Sequence, residues 1–172
     1  GEIFPISFKF SGYFNVYNLL GVVGCLSAKG YEIKKIIDSL SCIKAVPGRS
    51  EYIINNDSSP SVMIDYAHTD NALENILKSV KNNEFRKILL VFGAGGDRDK
   101  GKRKAMAKIA EKFADQCIIT TDNPRNENPL GIIKDISYHF NKKPIEIIDR
   151  KEAICKAIEI ASKEDLVIIA GK

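Results

Sequence analysis

The amino-acid sequence predicts an α/β fold with a mostly parallel, doubly wound sheet. Short apolar runs alternate with segments whose apolar residues recur at helical spacing, which is the pattern of strands joined by amphipathic helices. The run Lys87–Phe92 is almost entirely aliphatic and is followed by glycines, as is typical of a strand buried on both faces. Ligands bind at the carboxyl edge of such sheets, so the loop starting at Gly93 is predicted to recognise an anion. Its cations are Arg98, Lys100, Lys102 and Arg103.

The first part of the chain, residues 1–46, is predicted to form one strand and two helices. The strand is expected within Glu2–Phe10, and the helices before Gly30 and over Ile33–Leu40. So small a unit cannot bury its own apolar faces, so we expect it to be the tail of another domain. Pro47 and Gly48 then interrupt the helical pattern, and a second domain is expected over 47–172.

Residues 47–172 are predicted to alternate strands with helices. Strands are expected at 51–54, 61–68, 87–92, 117–120, 145–148 and 165–170. Helices are expected from Thr69 to Val80, around 106–113 and 132–140, and after the capping-box pair Asp149 and Glu152. Polar residues follow three of the strands, after Ile64, Phe92 and Thr121, and should meet at one edge of the sheet.

Composition excludes some classes of protein. A net charge of +4 over 172 residues is mild, and the cations are interleaved with acids, which disfavours nucleic-acid binding and favours anionic small molecules. The four cysteines lie far apart in apolar surroundings and are expected to be reduced core residues of a cytosolic protein. No segment approaches the roughly 20 apolar residues of a membrane span, and the start lacks a signal-peptide pattern, so a soluble intracellular protein is expected.

The glycine-rich loop does not match a standard nucleotide loop. The chain contains no Walker A sequence, and Arg98 occupies the sixth place of the dinucleotide fingerprint, where a glycine is needed. This disfavours a nicotinamide-dependent oxidoreductase. No activated serine or cysteine nucleophile and no zinc-ligand spacing is present either. The residues alone therefore predict a binding domain for an anionic metabolite.

Two arginines are the strongest candidates for binding. Arg125 follows Asn123 and Pro124, and because proline restricts the turn, its guanidinium should be presented to a ligand carboxylate. Arg98 could supply a second cation from the neighbouring loop. The alternative is that both arginines form ion pairs with nearby acids. Those acids are Asp97, Asp99, Asp122 and Glu127.

Asp65 and His68 allow two interpretations. They could orient a nucleotide or a metal-bound phosphate, or they could belong to a helix N-cap region with a surface histidine.

Five motifs taken together resemble the Mur ligases of peptidoglycan synthesis, and among them the members that add diaminopimelate. The motifs are Gly12–Asn18, Pro47–Glu51, Asp65–Thr69, Phe92–Arg103 and Asp122–Arg125. The resemblance runs from about Gly12 to Lys172, and it is specific as a set although each motif alone would be weak.

The resemblance implies an ATP-dependent amide ligase that adds meso-diaminopimelate to UDP-MurNAc-L-Ala-D-Glu. ATP phosphorylates the carboxylate of the UDP-linked dipeptide, and the amine then attacks the acyl phosphate. It implies Mg²⁺ in the full-length enzyme, a bacterial cytoplasmic location, a monomer, and small-molecule partners rather than nucleic acid or membrane. Residues 1–46 would be the tail of the central ATP-binding domain, and 47–172 a Rossmann-like C-terminal domain.

The resemblance also implies roles for particular residues. Those on the ATP side are Asn15, Asn18, Arg49, Asp65, Tyr66 and His68. Those of the amino-acid pocket are Arg98, Asp122, Asn123, Pro124, Arg125 and Gly171.

Parts of the family pattern are missing from this sequence. The Gly-Lys-Thr phosphate loop, the modified lysine and the UDP-binding domain are absent, and no Gly-His-Glu follows Gly171 and Lys172. We therefore expect a fragment that cannot hydrolyse ATP or form the amide by itself. The alternatives are a lysine-adding ligase of the same family and a non-catalytic Rossmann-like module that binds an anionic metabolite.

Overall fold

The computed structural model describes residues 3–6, 13–43, 46–53, 58–81 and 85–171. The chain divides into two compact units, Gly1–Pro47 and Gly48–Lys172. Whether the first unit is the tail of an ATP-binding domain stays a prediction.

The first unit contains two helices, α1 (Tyr13–Ala28) and α2 (Ile33–Leu40). Gly30, at φ +88°, closes the turn after α1, a backbone conformation that glycine adopts without steric cost. Residues 3–6 form neither helix nor strand, and the rest of the strand predicted within 2–10 lies outside the described residues. Several apolar side chains of α1, among them Tyr17 and Leu20, are exposed.

The second unit is built around a six-stranded sheet in the part of the chain that the structure describes. Its strands are β1 (Glu51–Ile53), β2 (Ser61–Asp65), β3 (Ile88–Phe92), β4 (Gln116–Ile119), β5 (Ile145–Glu146) and β6 (Leu166–Ala170). Its helices are α3 (Asp70–Val80), α4 (Gly101–Phe113), α5 (Pro129–Ser137) and α6 (Arg150–Ile160). The strand order is β1-β2-β6-β3-β4-β5, with β1 antiparallel to β2 and the remaining pairs parallel. The predicted mostly parallel α/β fold is confirmed.

Helices cover both faces of the sheet. On one face Ala153 and Ala157 of α6 pack against Leu89 and Val167. Because successive side chains of a strand point to opposite faces, the burial of Leu90 shows that the other face is covered as well. Helices α4 and α5 contact β4, and α3 packs against α4. The strand predicted at 145–148 is shorter than expected, with only Ile145 and Glu146 paired to β4.

Two helix starts follow the rules expected from sequence. The side chain of Thr69 accepts a hydrogen bond from the backbone N–H of Ala72, and that of Asp149 accepts one from Glu152. Both satisfy backbone donors that the helix itself leaves unpaired.

The expectation for the cysteines is wrong for three of the four. Cys25, Cys42 and Cys155 are exposed, because apolar neighbours in the sequence do not by themselves bury a side chain. Cys117, on central strand β4, is buried, and burial raises the pKa of its thiol to about 12. Among the described residues, none of the helices has the length and apolar character needed to span a bilayer.

Candidate functional site

A cavity of about 650 Å³ lies at the carboxyl edge of the sheet. Strand β6 lies between β2 and β3 and is parallel to both, so its end at Gly171 reaches the same edge as the ends of β2, β3 and β4. Side chains and backbone from all four strand exits therefore surround one space. The lining includes Tyr66, His68, Gly95, Arg98, Lys102, Asp122, Asn123, Arg125 and Gly171.

The loop after β3 and the loop after β4 fit closely against each other. The backbone N–H of Gly96 donates to the carbonyl of Asn123 over 2.8 Å. A Cβ on Gly96 would overlap the carbonyl of Pro124, and one on Gly93 would overlap the carbonyl of Thr120. These two glycines are therefore required for the approach of one loop to the other.

Arg125 and Arg98 both line the cavity, and both lie within contact distance of a Cβ placed on Gly95. A Cβ placed on Gly95 would lie 2.9 Å from Nη1 of Arg125 and 3.8 Å from Cγ of Arg98. Arg125 donates from Nη1 to the carbonyl of Gly96 over 2.6 Å, and its backbone is in the left-handed region at φ +49°. Both side chains are exposed. Neither arginine forms an ion pair with any residue that the structure describes.

A third arginine, Arg103, uses one of the acids that might have paired with the other two. It is 2 % exposed, and it donates to Glu127 over 2.7 Å and to Asp135 over 3.0 Å. Burial acts against its charge, but the bonds to Glu127 and Asp135 outweigh burial and raise the pKa of the guanidinium. The bond from Arg103 lowers the pKa of Glu127, which also accepts the backbone N–H of Asp97.

The remaining nearby acids are mostly occupied by local backbone. Asp97, at φ +50°, accepts the backbone N–H and the side-chain amide of Asn126. Asp99 accepts the N–H of Gly101 at the start of α4. Three of the four nearby acids, Asp97, Asp99 and Glu127, thus have other partners, and Arg98 and Arg125 are left available at the cavity.

Two acidic residues, Asp99 and Asp122, line the cavity, and the charge of Asp122 acts on Arg150. Arg150 is half-buried and donates to the carbonyl of Thr121 over 3.3 Å and to that of Ala170 over 2.9 Å. Burial lowers the pKa of its guanidinium, while the charge of Asp122 acts in the opposite direction. Sequence reasoning missed Arg150, because the only signal nearby was the capping pair that starts α6.

Four of the six residues assigned to the ATP side lie in the second unit, and three of them, Arg49, Tyr66 and His68, are in contact. The guanidinium carbon of Arg49 lies 4.3 Å from the ring centroid of Tyr66, within cation–π distance. The ring of His68 meets that of Tyr66 edge to face at 4.7 Å between centroids. Tyr66 and His68 are exposed and also line the cavity.

Asp65 has a supporting position instead of facing the cavity. Its carboxylate accepts the backbone N–H of Ser50 at 2.8 Å, the hydroxyl of Ser50 at 3.2 Å and the N–H of Ala67 at 2.8 Å. Ser50 is in the left-handed region at φ +47°. Asp65 therefore holds the turn that carries Arg49 against the end of β2.

The other two ATP-side residues, Asn15 and Asn18, lie one turn apart on α1 in the first unit. The amide of Asn18 donates to the side-chain oxygen of Asn15 over 3.5 Å. Within the described ranges, no three His, Cys, Asp or Glu side chains are placed to hold a metal ion.

The second unit matches a known protein family. The family described as "Mur ligase, glutamate ligase domain" matches residues 48–172. The chain belongs to the Mur ligase family. The matched range coincides with the second structural unit, so this Mur ligase domain contains the whole cavity.

The similar proteins include curated diaminopimelate ligases. A UDP-N-acetylmuramoyl-L-alanyl-D-glutamate--2,6-diaminopimelate ligase of Clostridioides difficile is 46% identical over 164 residues, covering 94% of this chain and 34% of that protein. Ligase 1 of the same name from Clostridium acetobutylicum is 43% identical over 169 residues, covering 97% and 35%. The chain therefore spans about a third of the length of these Mur ligases.

Solved structures show the same fold. A structure titled as the UDP-N-acetylmuramoyl-L-alanyl-D-glutamate--2,6-diaminopimelate ligase matches with a TM-score of 0.69 and 36% identity, covering 98% of this chain and 35% of that one. A pseudomurein peptide ligase type C from Methanothermus fervidus matches with a TM-score of 0.79 and 26% identity, covering 97% and 35%.

Proposed function

We propose that this chain is the amino-acid-binding part of an ATP-dependent ligase that adds meso-diaminopimelate to UDP-MurNAc-L-Ala-D-Glu in peptidoglycan synthesis. The observation that carries the proposal is the pair Arg98 and Arg125, which share one cavity with Asp122 and have no acidic partner among the described residues. In this proposal residues 1–46 end the ATP-binding domain, residues 47–172 form the C-terminal domain, and the protein works in the bacterial cytoplasm.

The charges of the cavity fit an amino-acid end of the substrate. A guanidinium matches a carboxylate with two parallel hydrogen bonds, and a carboxylate such as that of Asp122 attracts an ammonium group. Diaminopimelate carries an ammonium and a carboxylate at each end, whereas lysine lacks the second carboxylate. Arg125 and Arg98 therefore favour diaminopimelate over lysine, and the names of the similar ligases support the same choice.

The reaction needs two transfers, and this chain binds and orients the groups that take part. The terminal phosphoryl group of ATP moves to the carboxylate of the dipeptide, which releases ADP. The free amine of diaminopimelate then attacks the acyl phosphate, forms the amide, and releases phosphate and a proton. Holding the amine at the right distance converts this attack into an effectively unimolecular step.

The cluster around Tyr66 suits the ATP side of the same cleft. The exposed guanidinium of Arg49 can bind phosphate oxygens, and it lies within cation–π distance of the exposed ring of Tyr66. Asp65 keeps the turn in place, and His68 lies next to Tyr66. Asn15 and Asn18, which belong to the first unit, stay proposed adenine contacts by resemblance to the family. In this proposal ATP and Mg²⁺ are the cofactors of the complete ligase.

A ligase assay on the complete polypeptide tests the proposal. We expect ATP-dependent formation of the tripeptide product with diaminopimelate, and a much smaller rate with lysine. The chain of 172 residues alone should form no amide. Equal or greater activity with lysine would identify lysine as the substrate. If neither amino acid formed an amide, the proposed function would be rejected.

Calorimetry on the same chain separates the ligase from a non-catalytic metabolite-binding module. Diaminopimelate, lysine, ATP and NAD are the probes. Binding of NAD without binding of diaminopimelate, together with no ligase activity in the complete polypeptide, would favour the binding module.

A further inference from the structure

Arg150 joins two strand ends that are far apart in the sequence. Its two terminal nitrogens donate to the carbonyls of Thr121 and Ala170. Each of these residues immediately precedes a residue that lines the cavity, Asp122 after Thr121 and Gly171 after Ala170. A change at Arg150 therefore acts on the cavity through the backbone of both strand exits.

The chemistry of this contact differs from that of an ordinary stabilising ion pair. No carboxylate among the described residues comes within salt-bridge distance of Arg150, so the half-buried charge is balanced only by carbonyl dipoles and by the nearby charge of Asp122. Burial of a cation without a bonded counter-ion costs stability. The planar guanidinium of an arginine has several donors in a fixed geometry and can bond two separate carbonyls at once, which a lysine ammonium does less well.

Space is available for the strand exit to move if this contact is lost. Asp122 borders a second cavity of about 890 Å³, whose lining also includes Arg150, Leu130 and Ile148. Thr121 also donates from its backbone N–H and its hydroxyl to the carbonyl of Ile148, so loss of the bond from Arg150 frees the Thr121 carbonyl and the backbone at Asp122 to shift toward that space.

We propose that Arg150 is a positioning residue that holds Asp122 and Gly171 in place for the ammonium end of the amino-acid substrate. The inference rests on the proposed function for the identity of that substrate. Arg150 acts through the strand exits and does not itself line the cavity that contains Arg98 and Arg125.

Arg86 provides a matched control at the opposite end of the sheet. Its guanidinium bonds Asp165 and Ser162, just before the start of β6. Arg86→Ala removes an arginine that also joins separate segments, but it leaves the carboxyl edge untouched.

The first experiment compares Arg150→Ala, Arg150→Lys and Arg86→Ala in the complete ligase. Displacement of a substrate-positioning group by about 1 Å can cost on the order of 100-fold, so we expect Arg150→Ala to raise the KM for diaminopimelate by about 10- to 100-fold. The KM for ATP should stay unchanged, and Arg150→Lys should recover part of the loss. Arg86→Ala should leave both KM values unchanged. An equal rise in both KM values for Arg150→Ala, or an unchanged KM for diaminopimelate, would overturn the proposal.

The second experiment does not depend on catalysis. In NMR spectra of the 172-residue chain, the backbone amide resonances of Asp122 and Gly171 should shift in Arg150→Ala and stay in place in Arg86→Ala. If the unmodified complete protein fails to ligate diaminopimelate, the proposed function fails, and these resonances still decide the positioning. Unchanged resonances of Asp122 and Gly171 in Arg150→Ala would reject the positioning role of Arg150.

Discussion

The guanidinium of Arg125 donates a hydrogen bond of 2.6 Å to the main-chain carbonyl of Gly96. The bond joins the loop after β4 to the loop after β3. It uses Nη1 of the guanidinium, and the other two guanidinium nitrogens have no partner among the described residues. One side of Arg125 is therefore anchored while the rest of the guanidinium remains available at the cavity.

Replacement of Arg125 by alanine should affect diaminopimelate far more than lysine. The loss of a charge-assisted bond to a carboxylate costs about 1.5–3 kcal/mol, so the kcat/KM for diaminopimelate should fall by about 10- to 100-fold. Lysine has no second carboxylate and should lose much less. Steady-state kinetics of the complete ligase with both amino acids give the comparison.

Lys104, an exposed cation on α4 outside the cavity lining, is the control for that experiment. Lys104→Ala should leave kcat/KM unchanged for both diaminopimelate and lysine. Equal losses for the two amino acids in Arg125→Ala would contradict the pairing with a substrate carboxylate.

Substitution of Gly96 by alanine should destabilise the second unit. Its Cβ would overlap backbone at Pro124, which cannot move aside as a flexible side chain could. Forced overpacking costs about 1–3 kcal/mol, so urea unfolding should show a loss in that range. Gly131 on α5 is the matched control, since its nearest neighbour to a new Cβ is at 3.8 Å. Gly131→Ala should instead gain up to about 1 kcal/mol, and a loss as large as that of Gly96→Ala would argue against the close loop approach.

Removal of the Arg103 side chain should also lower stability. Arg103→Ala removes a buried guanidinium and leaves the partly exposed carboxylates of Glu127 and Asp135 without it, and the loss of hydrogen bonds to a charged group costs about 1.5–3 kcal/mol. The measurement is the free energy of unfolding in urea at neutral pH. Lys156, whose pair with Glu159 is solvent-exposed, serves as the comparison, and Lys156→Ala should cost under about 1 kcal/mol. Similar losses in the two variants would mean that burial does not strengthen the Arg103 contacts.

Stability should fall in acid. Burial opposes the charge of Asp165, but bonds from Arg86 and Ser162 outweigh burial and lower the pKa of its carboxyl, and the pKa of Glu111 is lowered mainly by the backbone N–H of Lys142. A carboxyl whose pKa is lower in the folded state adds stability above its unfolded pKa of about 4. That contribution is lost as the pH falls through the unfolded and then the folded pKa. Urea midpoints measured from pH 7 to pH 3 should therefore decrease below about pH 5.

Asp165→Asn isolates one source of this acid sensitivity. The variant should be less stable than the unmodified chain at pH 7 and should lose less stability on acidification. If the urea midpoint fell as steeply between pH 5 and pH 3 in Asp165→Asn as in the unmodified chain, Asp165 would not contribute to the acid sensitivity.

Local pattern was sufficient for the α/β class and for most helices and strands of the second unit. The aliphatic run before Gly93 could only be a buried strand or a helix segment, and its shortness and flanking glycines decided between them. The same reasoning failed for the cysteines, because an apolar neighbourhood in sequence does not say which face of an element a given side chain occupies. Cys155, for example, lies on the exposed side of α6, whose Ala153 and Ala157 face the sheet.

The sequence by itself determined that polar strand exits and two arginines would lie at the carboxyl edge of a parallel sheet, because strand direction and loop position follow from the order of elements. Only the tertiary structure decided that β6, the last strand, lies between β2 and β3 and brings Gly171 into the cavity. It also decided that Glu127 pairs with Arg103 and that Arg150 bonds two distant strand ends. Strand order and side-chain partners depend on packing between segments far apart in the chain, and local periodicity carries no information about those distances.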